Sequence, residues 1–313
     1  MFLPAFGNPA LAVLHDGAVL DVPGGRLAFS TDSFVVKPLF FPGGDIGSLA
    51  AHGTLNDIAM CGAKPFALSV GFILEEGLPM DDLWRIVQSL GAAMRRAGVP
   101  VVTGDTKVVE KGKGDGVFIT TTGVGVVPAG VQISGDRARP GDRILVSGTI
   151  GDHGVAIMSL RENLSFETTI RSDTAALHGL VAAMVQAVPG IHCLRDPTRG
   201  GLATTLNELA GQSGCGMVIR EASIPVRPQV EAACEFLGLD PLYVANEGKL
   251  IAICAEADAA HLLDAMRAHP LGADAAMIGE VIEDAHHFVQ MDTRFGGRRN
   301  VDWLTGEQLP RIC

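Results

Sequence analysis

The chain has 313 residues, more than one hydrophobic core usually fills, which favours two domains. Its apolar residues, 47% of the total, fall in short runs broken by Gly or charge; none supplies the roughly 20 apolar residues of a membrane span and none forms a secretory leader, so the reading is cytoplasmic. Formal net charge is -11, from 24 Lys and Arg against 35 Asp and Glu, which argues against a duplex nucleic-acid partner and suits divalent cations.

Residues 26 to 36, RLAFSTDSFVV, carry strand-forming residues, and the following KPLFFPGGD has the Pro and Gly of a loop. Between Ile46 and Gly62, Leu49, Ala50, Leu55, Ile58 and Ala59 recur at broadly helical spacing. PFALSVGFIL predicts a buried strand, Asp81 to Gly98 an amphipathic helix with Asp near its start, and VFITTTGVGVV another strand. In ARPGDRILVSGTIGDHG a Pro-Gly turn, a short apolar strand and a glycine-rich loop that could open a helix mark a domain boundary near Pro140. Helical patterns near 174–188, 200–212, 228–238 and 257–268 then alternate with the strands GMVIR, KLIAICA and AAMIGEVI. The expectation is a mixed α/β (α+β) chain with domains at 1–139 and 140–304 and a tail, 305–313, ending in Cys313.

Cys61, Cys193, Cys215, Cys234, Cys254 and Cys313 include no CxxC pair, which weakens a zinc or dithiol reading. The first five sit among apolar or small residues and read as reduced core cysteines. Cys313 stands apart at the end of LPRIC, where an exposed thiol is an oxidation hazard. The nine histidines show no HExxH spacing and argue against a structural metal site.

Acidic and amide residues gather at expected strand ends and loops: Asp32 in STDSF, Asp45 in PGGDIG, Asn56 and Asp57 in GTLNDIA, and Asp105 in TGDTK. Carboxylates converging from separate elements are what Mg²⁺ needs when it holds nucleotide phosphates through few protein ligands. Singly, Asp32 and Asp57 read more readily as turn and capping residues, a balance that the cluster shifts only modestly. The stretches FPGGDIG, SGTIGDHG and DPTRGG could admit phosphate to backbone N–H groups, but none is a Walker A loop or a dinucleotide fingerprint. Lys107 could contact phosphate, act as a base or be a solvated lysine. Glu247 in ANEGKL is either a turn former or an acid/base group, and Asp196 or Thr198 is expected to cap the helix that follows DPTRGG.

The run TDSFVVKPLFFPGGDIGSLAAHGTLNDIAMCGAKP, with GDTKVVEKGKGDGVFITTTGVG, PGDRILVSGTIGDHG, RDPTRGGLATTLNE and the terminal PRIC, resembles the HypE family of hydrogenase maturation factors, within the PurM-like, aminoimidazole ribonucleotide synthetase-related superfamily. The resemblance spans nearly the whole chain, and the terminal PRIC sets HypE apart from its sister families, selenophosphate synthetase and thiamine-monophosphate kinase. It implies a two-domain PurM-like fold whose N-terminal sheet completes a β-barrel across a homodimer. It also implies ATP and Mg²⁺ as cofactors, HypF as the enzyme that carbamoylates the terminal cysteine, and the HypC-HypD complex as acceptor of the resulting cyanide for the iron of [NiFe] hydrogenase. On the matching positions, Cys313, Lys107 and Glu247 take catalytic roles, Asp32, Asp57 and Asp105 hold the metal, and Lys37, Asp45, Asn56 and Thr106 bind the nucleotide.

A cysteine that serves a donor enzyme, its own ATP site and an iron-bearing partner calls for a mobile arm. Residues 305 to 313 reach roughly 30 Å when extended. Family members also carry a glycine-rich segment ahead of the stretch that MFLPAFGNP resembles, and its absence would weaken ATP binding by the chain as given. A carrier that relays a group on Cys313 without making it is the non-enzymatic alternative.

Overall fold

The computed structural model describes residues 2–8, 24–162, 170–304 and 312. After a short helix, α1 (Phe2–Phe6), the first half runs β1 (Arg26–Phe34), a small hairpin of β2 (Phe40–Phe41) and β3 (Gly44–Asp45), α2 (Ile46–Met60), β4 (Lys64–Glu75), α3 (Met80–Ala97), β5 (Val101–Val109) and β6 (Val117–Val127). Four of these strands form one sheet in the order β1-β6-β4-β5, parallel only between β4 and β5.

The second half contributes β7 (Arg143–Val146), α4 (Asp152–Arg161), α5 (His178–Ala187), β8 (Cys193–Arg195), α6 (Gly201–Ser213), β9 (Gly216–Arg220), α7 (Pro228–Leu237), β10 (Ile251–Cys254), α8 (Glu256–Arg267), β11 (Ala276–Ile282), β12 (Val289–Asp292) and β13 (Arg298–Asn300). Its sheet runs β13-β12-β9-β11-β7-β10-β8. The expected helices and strands appear at the expected places. Strands β8, β12 and β13, of three or four residues, are too short to show alternation, and β5 is interrupted by Gly104, Asp105 and Lys107.

Helix α2 is the centre of the molecule. Every position except Asp57 is buried, so the helix has no solvated face and must be enclosed on all sides. It lies against β1 and β6 of the first sheet and against β8 and α5 of the second half. Asp57 is therefore the one position not fully buried in a helix that both halves cover. At Gly53 a Cβ would come within 2.8 Å of the Phe34 ring, so only glycine allows α2 to lie this close to β1. Asp45 caps the helix: its Oδ1 accepts from the Gly47 and Ser48 N–H groups at 2.7 and 3.1 Å.

Helix α3 follows its sequence pattern, with Leu83, Ile86, Val87, Leu90 and Met94 inward and a stop at Gly98 in the left-handed conformation. The face of the first sheet opposite α2 is open and partly apolar, with Phe29 70% and Ile73 40% exposed. Cys193, Cys215, Cys234 and Cys254 are buried, as expected, but Cys61 is exposed because it caps the C-terminal end of α2, where the chain leaves the core.

Candidate functional site

Four carboxylates from separate elements meet at the junction of the two halves. Asp32 projects from β1 toward α2, with its Oδ2 3.7 Å from where a Cβ on Gly53 would lie. Asp57 projects from α2 and accepts a hydrogen bond from Ser30 Oγ at 2.7 Å. Asp196 follows β8, and Glu247 lies on the loop before β10. Desolvation raises all four carboxyl pKa values, and the groups raise one another: Asp32 acts on Asp57, Asp57 and Asp32 act on Asp196, and Asp196, Asp32 and Asp57 act on Glu247. Asp196 is pushed up to about 7, and Glu247 well above the ordinary glutamate value.

Asp196 was expected to cap α6. Instead Gly200, with φ 78°, is the N-cap and no side chain caps the helix, which leaves Asp196 to the acidic cluster. The signal was present in the sequence: Pro197 holds Asp196 in extended backbone and Gly200-Gly201 starts the helix, so the acid precedes the first turn by too much to cap it.

Glu247 is 4% exposed and its Oε1 has no hydrogen-bond partner. Its backbone is fixed from both sides. The N–H donates to Asp173 Oδ1 at 3.0 Å, and the carbonyl accepts from Asn56 Nδ2 at 3.3 Å. A Cβ on the next residue, Gly248, would lie 1.9 Å from the Asp173 carbonyl oxygen, so the loop passes where only glycine fits. Asp173 Oδ2 pairs with the nearly buried Lys249 at 2.9 Å. Asn56, expected at the nucleotide, is instead a strut, for Nδ2 also donates to the Ala175 carbonyl and Oδ1 accepts from the Leu177 N–H.

Asp105, Thr106 and Lys107 lie elsewhere in the protomer. Across the first sheet, Asp32 is in register with Thr121, Val70 and Gly104, so Asp105 sits one residue along on the opposite edge strand, three strand spacings or about 14 Å away. The alternation of side chains turns Asp105 and Lys107 to the open face. They form an ion pair at 3.0 Å with both side chains at least 70% exposed. Such a pair contributes little and leaves both groups free to take other partners. Lys37 is exposed after β1, and Asp45 is the α2 cap.

The donor set fits a divalent cation, since the half-buried Asp57 and Asp196 and the buried, unpartnered Glu247 Oε1 carry like charges that a cation would offset. Among the described residues no three His, Cys, Asp or Glu side chains close into a ready-made metal cluster.

Cys313 lies outside the described residues, but Ile312 is placed. It is 4% exposed, packs in the core of the first half and forms an antiparallel bridge with Val36. Its carbonyl oxygen lies 2.7 Å from His153 Nε2. His153 is in turn within electrostatic reach of Asp173, the residue that fixes the Glu247 loop. The residue preceding the terminal cysteine is thus docked on its own chain, close to the acidic cluster.

Among the described residues no helix is long and apolar enough to cross a membrane. Residues 14–127 match the family described as AIR synthase related protein, N-terminal domain, and residues 139–292 match the corresponding C-terminal domain. The chain is 69% identical over 314 residues to the carbamoyl dehydratase HypE of Cupriavidus necator, a match that covers 100% of this chain and 90% of that protein. It is similar, with a TM-score of 0.97 and 55% identity over 100% of this chain and 94% of the other, to the crystal structure of hydrogenase maturation protein HypE in complex with ATP. The crystal structure of a HypE-HypF complex matches with a TM-score of 0.87 and 48% identity over 97% of this chain and 98% of the other. The chain belongs to the carbamoyl dehydratase HypE family, within the AIR synthase related proteins.

Proposed function

We propose that this protein uses ATP to dehydrate a carbamoyl group on Cys313 to a thiocyanate, with HypF as the carbamoyl donor and a HypC-HypD complex as acceptor of the cyano group. The observation that carries the reading is the docked Ile312: the cysteine is one peptide bond beyond a residue whose carbonyl meets His153, and His153 bonds Ser172, the neighbour of the Asp173 that fixes Glu247. A carrier without chemistry would have no need to dock its tail on the histidine beside this loop.

The reaction converts S-carbamoyl cysteine and ATP to S-cyano cysteine, ADP and phosphate. The amide oxygen attacks the γ-phosphorus and ADP leaves; the amide nitrogen then gives up its protons as the C–O bond breaks, phosphate departs and the C≡N bond forms. Glu247 is the proton acceptor in this reading. Its raised pKa makes it a stronger base than a solvated glutamate, and its Oε1 is unengaged. Asp32 and Asp57, with Asp196, would hold Mg²⁺, which when bound offsets phosphate charge.

Lys107, Thr106 and Asp105 join this cluster only if a second copy brings its β5 edge across. The open apolar face of the first sheet supports a homodimer of that kind, in which the two sheets complete a barrel. Lys107 then handles phosphate or a proton, and Thr106 and Lys37 line the nucleotide.

Mass spectrometry of the Cys313 peptide after incubation with HypF, carbamoyl phosphate and Mg-ATP tests the proposal. A carbamoyl adduct that loses one water only as ATP is hydrolysed is the expected result. Loading without water loss, in a chain that still binds ATP, would leave the carrier reading in its place.

A further inference from the structure

The buried imidazole of His153 contacts the tail at a single atom, and its whole hydrogen-bond pattern can be worked out. A carbonyl oxygen only accepts, so the 2.7 Å contact to Ile312 O requires Nε2 to carry a proton. At 0% exposure the ring is neutral, because desolvation lowers its pKa, and Nδ1 is therefore an acceptor. Ser172 Oγ, 2.8 Å away, is its donor, and that hydroxyl oxygen accepts in turn from the Thr174 N–H at 3.2 Å. The backbone N–H of Ser172 donates to the Pro42 carbonyl at 2.7 Å, and the Phe41 ring meets the imidazole edge to face at 5.6 Å. The ring is held by groups outside the tail, and its tautomer is the one that the Ile312 carbonyl requires.

We infer that His153 is a positioning residue for the C-terminal cysteine: its Nε2–H, on a ring held by Ser172, latches the Ile312 carbonyl and so presents Cys313 to the Glu247 loop. The inference rests on the dehydratase reading and adds the device that aims the tail. The bridge to Val36 sets how deep Ile312 sits, while the hydrogen bond sets the direction in which its backbone leaves. Adjacent Cα atoms are about 3.8 Å apart, so few torsions separate the thiol from the anchored carbonyl. One neutral hydrogen bond and one apolar side chain hold the tail firmly enough to aim it and weakly enough to release it to a partner.

The test is peptide-resolved alkylation of Cys313 by iodoacetamide in the full chain, read by mass spectrometry, for wild type, His153→Phe, His153→Gln and Ile312→Asp. Alkylation is run slowly enough to report the undocked population. His153→Phe and Ile312→Asp are expected to speed alkylation about fivefold or more, the weight of one ordinary hydrogen bond. His153→Gln, whose amide N–H₂ can reach the Nε2 position, should stay within about twofold of wild type. Single-turnover dehydration of the carbamoylated tail should slow in the same order with ATP affinity unchanged.

Ile312→Asp changes only the tail and so tests its docking even where His153→Phe lowers stability, while the His153→Gln and His153→Phe comparison assigns the docking to the hydrogen bond. Equal alkylation rates in all four proteins would overturn the latch, as would a His153→Gln rate equal to that of His153→Phe. If wild type loads but never dehydrates, the dehydratase reading fails, and the alkylation series still reads the latch.

Discussion

Asp173 fixes the backbone of Glu247, accepting its N–H at 3.0 Å while the other carboxylate oxygen takes the Lys249 ammonium at 2.9 Å. One nearly buried carboxylate thus anchors the loop, neutralises a lysine and adds negative charge beside the proposed base. Asp173→Asn should disturb all three. Lys249 is left as an unpaired, nearly buried cation, at a cost of about 3 kcal/mol, measurable by chemical denaturation. Loss of the neighbouring charge lowers the Glu247 pKa, so the acid limb of the dehydration rate should move to lower pH. A stability loss with an unmoved acid limb would separate Asp173 from the base.

The acidic cluster should make stability depend on pH and cation together. Asp196 is raised to about 7 and Asp32, Asp57 and Glu247 are raised as well, so the folded chain holds protons that the unfolded chain has released. For groups shifted in this direction, stability is fully present below the unfolded carboxylate pKa, about 4, and is lost as pH rises through the folded value. The melting temperature without divalent cation should therefore fall between pH 5 and 8. Mg²⁺ favours the ionised forms and should restore more at pH 8 than at pH 5. Asp196→Asn should flatten the pH slope; an unchanged slope would remove Asp196 from the cluster.

Asn56 should prove a structural residue before it proves a nucleotide contact. It is 1% exposed and bonds the Ala175 and Glu247 carbonyls and the Leu177 N–H, tying α2 to two segments of the second half. Asn56→Ala leaves these buried groups unsatisfied and should cost about 2 to 3 kcal/mol in equilibrium unfolding. Nucleotide affinity, measured by calorimetry on protein that remains folded, should change less than the stability does.

Much of this was legible in the sequence, for stated reasons. Regular spacing exposes α3, and the mix of Gly, Pro and short apolar runs marks the change of sheet near Pro140. Family resemblance, more than local pattern, singles out Asp32, Asp57 and Glu247. Local pattern says nothing about which acids meet, because Asp196 reaches Asp57 only when β8 packs beside α2, a contact between segments far apart in the chain. The same limit explains Asn56, whose strut joins segments far apart in the chain, whereas the Asp45 cap is local, made with Gly47 and Ser48. Nor could spacing reveal that Asp32 and Asp105 occupy opposite edges of one sheet, since that depends on the order β1-β6-β4-β5.

That sheet order leads to the sharpest prediction. Asp57 faces the junction of the halves, whereas Lys107 is on the far edge strand and the opposite face of the same sheet. If a complete site takes Asp57 from one subunit and Lys107 from the other, two inactive variants should complement. Asp57→Asn and Lys107→Ala, each alone, should lose at least about a hundredfold in dehydration rate, the usual scale for groups that handle charge or protons in the reaction. When the two are co-expressed and pair at random, half the dimers are mixed and each mixed dimer holds one intact site, so about a quarter of wild-type activity should return. Adding Phe29→Lys on the open face to both chains should disperse the dimer, by sedimentation, and abolish the recovery. Mixed dimers that form yet stay inactive would mean that the site is built within one chain and that Lys107 acts outside it.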